Sequence, residues 1–313
     1  MEPSWVGRRV SVRRIVDDDL ESGGRHGDVV GDLIGLDART AVVETRRGLV
    51  EIALPSVLIA RLVPASTAAE LALEGVIARG LRPIDDVELD GWTLRADLGF
   101  TRRANSVLPL RQLRLPLADA LEQARAWYVE RGLPLVLRLP TEARRLLDAE
   151  LGERGWRPHS DSHVMIARLD RLGAPGITTP PVSIDPEPDD AWLELYRGGE
   201  GASEAGRALL TRHDRVAFAS LRLDGRTVAV GRAVVDDGWL GVTAIEVDLA
   251  HRRQGLATAV TAELWNWGRS QQTVRSYLQV LCDNVAGVQL YAGLGYWAHH
   301  DYRYREDPVG LPG

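Results

Sequence analysis

The pattern of apolar and polar positions divides the chain into three stretches. In the first, short alternating or β-branched runs occupy 8–13, 27–36, 40–46, 48–54 and 58–63. Turn residues separate them at Gly23-Gly24, Asp37 and Arg47-Gly48. Period-two runs bounded by such residues predict strands. Five strands in so short a segment predict a small β-barrel over residues 1–64. Trp5 is its one prominent aromatic residue. That favours a packing module over a binder of peptides or nucleic acids.

The second stretch, 65–172, switches between periods. Ser66 can cap a helix over 66–79, with Glu70 in its first turn. Residues 92–98 and 104–110 predict strands. Pro116 opens a helix in which Leu117, Leu121, Ala124 and Tyr128 share a face, and Gly132 ends it. A strand at 135–139, a helix at 142–154 and a strand at 163–169 follow. Five prolines between Gly173 and Pro188 then predict a linker.

The third stretch, 189–306, starts with one or two helices up to Leu210. A hairpin follows, 216–223 with 227–235, turning at Asp224-Gly225. Residues 240–247 form an apolar run that stops at Asp248. After it, Leu256, Val260, Leu264 and Trp267 recur at helical spacing. A strand that turns through Gly255 into a helix aims free N–H groups and a positive helix end at one spot. Such a spot suits a phosphate or pyrophosphate. Gly255 and Ala257 keep side chains clear of the backbone, and Arg252 and Arg253 add positive charge. A second strand, 277–282, leads into Asn284 and a helix that contains Tyr291 and closes on Gly295-Tyr296.

Strand, Arg252-x-x-Gly255-x-Ala257, helix, strand, Asn284, helix and Tyr291-x-x-x-Gly295-Tyr296 together resemble the GNAT superfamily of acetyl-CoA-dependent N-acetyltransferases. The resemblance covers about 189–306. Leu249 departs from it, standing where many members have proline. It implies acetyl-CoA as cosubstrate, bound by Ile245, Val247, Arg252, Arg253, Gln254, Gly255, Leu256, Ala257, Thr258, Asn284 and Tyr291. It implies no metal. Asn284 would bond the pantetheine arm or hold the strand–helix junction.

The middle stretch looks like a degenerate copy. Gly155-Trp156 aligns with Gly295-Tyr296, but Leu151 stands where Tyr291 stands. The turn Arg111-Gln112-Leu113-Arg114-Leu115-Pro116 has no glycine, and its proline lacks a donor. The expected fold is therefore α/β (α+β). It comprises an SH3- or Tudor-like barrel, a GNAT-like half that binds no CoA, a linker at 173–188, a catalytic GNAT domain at 189–306 with a mixed central sheet, and a flexible tail at 307–313. This layout resembles actinobacterial tandem-GNAT proteins.

Composition narrows the partners. The net charge of −6 disfavours nucleic acid held by bulk charge and mildly favours cationic acceptors such as amines. No apolar run is long enough for a membrane span. No signal peptide is apparent, and the single cysteine, Cys282, fits a reducing compartment, so a cytoplasmic protein is expected. Cys282 reads as a core strand residue. All 38 basic residues are arginine, which leaves no lysine side chain for self-acetylation. Oligomeric state is open. His299 and His300, adjacent on a strand, should face opposite sides and not chelate together.

Acetyl transfer to a lysine-like amine needs that amine neutral, at a cost of about 4–5 kcal/mol near pH 7. Glu246 at the strand end is the candidate base, with a structural role as the alternative. The resemblance gives the Val247 N–H to the developing oxyanion. It gives Tyr291 to the departing thiolate as general acid. The acceptor, a protein amine or a small amine, is not specified. Alternatives are a mycothiol-synthase-like small-molecule enzyme and a non-catalytic acetyl-CoA sensor or scaffold.

Overall fold

The computed structural model describes residues 1–16, 25–173 and 181–310. The chain forms two compact units, Met1–Ser66 and Thr67–Gly313. The first is an antiparallel sheet of β1 (Arg9–Ile15), β2 (His26–Leu36), β3 (Thr40–Thr45), β4 (Gly48–Ala53) and β5 (Val57–Leu62), in the order β4-β3-β2-β1-β5. Alternate residues Val10, Val12, Leu33, Ala41, Val43 and Ile52 form its buried core. No ladder joins the edges β4 and β5 among the described residues, so in its hydrogen bonding the expected barrel is an open sheet. The predicted Gly23-Gly24 turn lies outside the described residues.

The second unit opens with α1 (Thr67–Arg79), β6 (Asp85–Leu89), β7 (Trp92–Ala96), α2 (Leu117–Val129), β8 (Val136–Pro140), α3 (Arg145–Glu153) and β9 (Arg157–Arg168). It continues with β10 (Val182–Asp185), α4 (Asp190–Leu195), α5 (Glu204–Thr211), β11 (Val216–Leu223), β12 (Arg226–Asp236) and β13 (Trp239–Val247). It ends with α6 (Leu256–Ser270), β14 (Arg275–Leu281), α7 (Val285–Gly293) and β15 (Trp297–Glu306). One mixed eight-stranded sheet runs β10-β11-β12-β13-β14-β9-β15-β8, and among the described residues only β13 and β14 form a parallel ladder.

That order corrects the expectation of two separate GNAT-like domains. The matching pairs β8/β9 and β14/β15 have exchanged partners. Strand β9 lies between β14 and β15, and β15 lies between β9 and β8. Gly155 and Gly295, both at positive φ, turn the chain into β9 and β15, and the Trp156 and Tyr296 that follow are buried. Each half completes the other's sheet.

Other expectations also shift. Residues 104–110 are not a strand, and only Val107 and Leu108 make isolated bridges. Ala104 to Pro109 are buried because the chain turns inside the unit, held by the Asn105 carboxamide, which bonds the backbone of Asp97, Gly99 and Thr101. The predicted linker contains edge strand β10, paired with β11, while residues 174–180 lie outside the described residues. Asp307, expected to open the tail, is buried: its N–H donates to the Leu135 carbonyl and its carboxylate accepts from Arg125 at 2.5 Å. Residues 311–313 lie outside the described ones. No described helix is long and apolar enough to cross a membrane.

The sheet has two covered faces. On one, α6 packs Leu256, Val260, Leu264 and Trp265 against Ala219, Leu221, Ala233, Val242, Leu278 and Val280. On the other, Trp192 and Leu193 of α4 cover Phe218 and Val230, and Leu73, Val76 and Ile77 of α1 cover Tyr277, Tyr302 and Val164.

Candidate active site

A split in the sheet organises the site. Strands β13 and β14 pair only from Trp239–Arg275 to Gly241–Tyr277 and separate beyond. The Tyr277 ring crosses Gly241 so closely that a Cβ there would sit 2.4 Å from it. Just past this point β13 carries a bulge. Val230 pairs with Glu246 and Arg232 with Thr243, so Gly231 faces two residues, Ala244 and Ile245. Ala244 adopts φ 54°, and the bulge puts Thr243 and Ala244 on the same face. The Gly231 carbonyl, left without a ladder partner, accepts from the Trp192 indole at 3.3 Å. Ile245 and Val247 pack on the α6 face, and Glu246 turns to the α4 face.

At the end of β13 the backbone alternates in a useful way. The Asp248 N–H donates to the Val228 carbonyl at 2.9 Å. Hydrogen-bonding positions alternate along an antiparallel strand, so the peptide groups of Val247 face away from β12, into the split. The Val247 carbonyl indeed accepts from Arg252 Nε at 3.2 Å. Asp248 ties the next turn down, accepting from the Ala250 N–H and meeting His251 Nδ1 at 2.8 Å.

The turn reaches α6 through two left-handed residues, Arg253 (φ 63°) and Gly255 (φ 77°). Gly255 is the N-cap and supplies no capping side chain. The first intrahelical bond runs from the Ala259 N–H to Gly255. The N–H groups of Leu256, Ala257 and Thr258 therefore have no earlier carbonyl to meet. Arg252, Arg253 and Gln254 are exposed around that end, whereas the Leu256 and Thr258 side chains are buried behind it. The residues fit a pyrophosphate: donors and cations in front, and nothing capping them.

Tyr291 of α7 packs on the α6 face, edge to face with Tyr296 at 6.1 Å between ring centroids. Burial pushes its hydroxyl up to about 12, so it stays protonated at neutral pH. Tyr296 is fixed behind it, accepting from the Trp265 indole at 2.9 Å and sharing a 2.7 Å bond with Ser276. Asn284 holds the strand–helix junction, its Oδ1 accepting from the Gly287 N–H at 3.0 Å.

Glu246 lies on the opposite face. Its Oε2 accepts from the Arg197 N–H at 2.8 Å. Arg197, Gly198 and Gly199 form three consecutive left-handed residues, and the Arg197 guanidinium lies over the Phe100 ring. Glu246 and Tyr291 thus lie on opposite faces of the sheet, and no hydrogen bond joins them among the described residues. Cys282 is half-buried, and burial pushes its thiol up, away from the reactive range.

The expectation that the two histidines face opposite sides fails. A register shift between Ala298 and His300 lets both rings meet, with Nδ1 atoms 2.7 Å apart. His300 Nε2 lies 2.9 Å from Glu74 Oε1, and Glu74 is clamped by Arg138 at 2.6 and 2.7 Å. This buried group joins α1, β8 and β15. Sequence reading also missed Arg95, Arg103 and Arg138, which line a pocket beside the split with Thr243 and Gln279. For Arg95 and Arg138 the signal was an arginine inside an apolar strand, Leu94-Arg95-Ala96 and Leu137-Arg138-Leu139; Arg103, outside any strand, gave none.

Comparison with known proteins bears on the family and the fold. Residues 67–305 match the family model described as "Probable histone acetyltransferase Rv0428c C-terminal". The chain is 30% identical over 290 residues to the probable histone acetyltransferase Rv0428c of Mycobacterium tuberculosis (strain ATCC 25618 / H37Rv), covering 88% of each. It is 27% identical to the uncharacterized N-acetyltransferase YobR of Bacillus subtilis (strain 168), covering 68% of this chain and 89% of that one. Among solved structures, a GCN5-related N-acetyltransferase from Kribbella flavida superposes with TM-score 0.59 at 18% identity, over 79% of this chain and 97% of that one. A tandem GNAT protein from the clavulanic acid biosynthesis pathway superposes with TM-score 0.52 at 14% identity, over 66% and 76%.

Proposed function

The chain belongs to the family of the Rv0428c C-terminal region, whose members are GNAT N-acetyltransferases, and on that premise we propose that its donor is acetyl-CoA, held at the turn between β13 and α6. One observation carries the reading. The open backbone of Val247, the uncapped start of α6 and the split between β13 and β14 lie in sequence along one path. A pyrophosphate at the N–H groups of 256–258 would be flanked by Arg252 and Arg253. The extended arm would then lie along β13, with its thioester at the split.

The chain's own groups divide the work. An amine reaching the split from the α4 face meets Glu246, which takes its proton directly or through water. The nitrogen forms the new C–N bond as the C–S bond breaks. The Val247 N–H, free of β12, takes the charge that develops on the carbonyl oxygen. Tyr291 faces the sulfur side. With its hydroxyl near about 12, complete proton transfer to a thiolate whose acid form is near ~8.5 is uphill by roughly 5 kcal/mol. That favours a hydrogen bond to the leaving sulfur ahead of full transfer. The middle half is proposed to bind no CoA. The Arg114 and Leu115 N–H groups of its turn already donate to Asp90 at 2.6 and 2.7 Å.

Calorimetric titration of the full chain with acetyl-CoA tests the donor. An acceptor screen with amines, amino sugars and basic proteins, read by CoA release, tests the transfer. Absence of acetyl-CoA binding would overturn the reading.

A further inference from the structure

The pocket on the α1 side of the split holds more buried positive charge than its surroundings neutralise. Arg95, Arg103 and Arg138 line it with Thr243 and Gln279, and Glu74 is the one carboxylate among its lining residues. Glu74 is fully committed, gripped twice by Arg138 and facing His300. Arg138 is committed as well, its Nη1 donating to Gln279 at 2.7 Å.

Arg95 and Arg103 are different. Arg95 is 3% exposed. Its Nε and Nη2 meet only the neutral carbonyl and hydroxyl of Ser106, at 3.3 and 3.0 Å, and Nη1 makes no hydrogen bond among the described residues. Burial pushes it down to about 10, as expected of a cation without a counter-charge. Arg103 is half-buried beside Tyr302, whose hydroxyl bonds its guanidinium and holds it above its usual range, while its Nε has no partner. The buried hydroxyl of Tyr304 has none either. An uncompensated buried cation such as Arg95 is costly.

We propose that the acceptor is a small amine carrying a carboxylate, an amino-acid-like molecule whose carboxylate pairs with Arg95 and Arg103. The proposal rests on the acetyltransferase reading above and names its substrate class. Thr243 sits on the bulge of β13, and Gln279 lies across the split on β14. A group anchored at the arginines therefore presents its amine toward the split. The free space at the arginines is about 10 Å³, room for one water-sized group. A carboxylate is larger than that, so its entry requires the lining side chains to move aside. A protein lysine side chain has no anionic end and leaves Arg95 without a counter-charge.

The test uses the full chain with matched probes. Proteinogenic amino acids, β-alanine and γ-aminobutyrate are each compared with the amine lacking the carboxylate, and β-alanine with 2-aminoethyl phosphate. Calorimetric binding and CoA release are both read. In accepted pairs the carboxylate form should show at least tenfold higher kcat/KM, through KM. Arg95→Met and, independently, Arg103→Gln should remove that advantage and leave acetyl-CoA affinity unchanged. Equal or better use of the bare amines, or retention of the preference in both variants, overturns the proposal while acetyl-CoA binding keeps the enzyme reading. A preference for the phosphate also overturns it. If acetyl-CoA does not bind but the carboxylates do, through Arg95, the pocket stands and the donor reading falls.

Discussion

His299 and His300 hold their Nδ1 atoms 2.7 Å apart, so one ring donates and the other accepts, and the pair cannot take two full protons in that geometry. Burial, then the neighbouring His300, pushes His299 down to about 3. Glu74, beside them, is carried down to about 2 by Arg138 and His300 against its own burial.

Both shifts make the fold acid-sensitive in the same direction. An unfolded histidine takes its proton near ~6.5, whereas folded His299 resists until about 3. An unfolded glutamate takes its proton near ~4.3, whereas Glu74 resists until about 2. Between those values the unfolded chain binds more protons, so stability falls as pH falls. The melting temperature should decline from pH 7 to pH 4. His299→Gln should flatten the part between about 6.5 and 4.5, where Glu74 does not yet contribute and the remaining slope comes from buried His213, also held below its usual range. An unchanged slope in that variant would show that the pair is not the source.

The exchange of strands predicts that neither half folds alone. A fragment of residues 181–313 lacks β9, which separates β14 from β15. Val164 and Met165 of β9 are almost wholly buried, and each such side chain contributes roughly 1.5–3 kcal/mol. Two of them approach the ~5–15 kcal/mol that stabilises a whole domain, before any ladder bond is counted. The fragment should lack a cooperative melt by circular dichroism, and co-expression with residues 67–173 should restore it. Independent folding would mean that β14 and β15 can close without β9.

Local pattern made most elements of the second unit legible, because apolar runs such as those of β11, β12 and β13 are buried strands with turn residues at their ends. Non-local pairing was not legible. Nothing in residues 157–168 says that they pair with β14 rather than with their own half. Bulges hid too, since an extra residue at Ala244 or at His299 leaves the apolar pattern nearly intact while reversing which side chains meet. Polar β6, Asp85-Asp86-Val87-Glu88-Leu89, shows little alternation, and β10 was masked by flanking prolines. At the site, the glycine turn and Tyr291 stood out by their motif. The pocket arginines did not, because a lone arginine in a strand usually points to solvent.

Gly255 offers a direct check of the turn. At φ 77° a side chain is strained, and a carboxylate there would oppose a pyrophosphate. Gly255→Asp should weaken acetyl-CoA binding at least about tenfold, or ~1.4 kcal/mol, by calorimetry. The melting temperature controls for the strain. Unchanged affinity would remove the turn from the donor site.

Stoichiometry separates the halves. The middle half has only isolated bridges at Val107 and Leu108 where a splayed strand pair would be needed, and its turn donors are occupied by Asp90. Titration should therefore give one acetyl-CoA per chain. A value of two would falsify the reading that this half binds none.

Tyr291 can be tested without disturbing its packing. Its ring contributes to the α6-side core and meets Tyr296 edge to face, and its hydroxyl makes no hydrogen bond among the described residues. Tyr291→Phe removes only that hydroxyl, so melting temperature and acetyl-CoA affinity should hardly move. Turnover with a competent acceptor should fall, because acid–base groups contribute ~10²–10⁴-fold. Glu246→Gln is the complementary variant. It keeps an acceptor for the Arg197 N–H, removes the base, and should move the alkaline rise of the pH–rate curve upward. The two effects should differ in kind, since the groups reach the split from opposite faces. If Tyr291→Phe keeps more than roughly a third of the wild-type rate while chemistry limits turnover, a loss far below the usual range, the ring only packs and water or another group serves the thiolate.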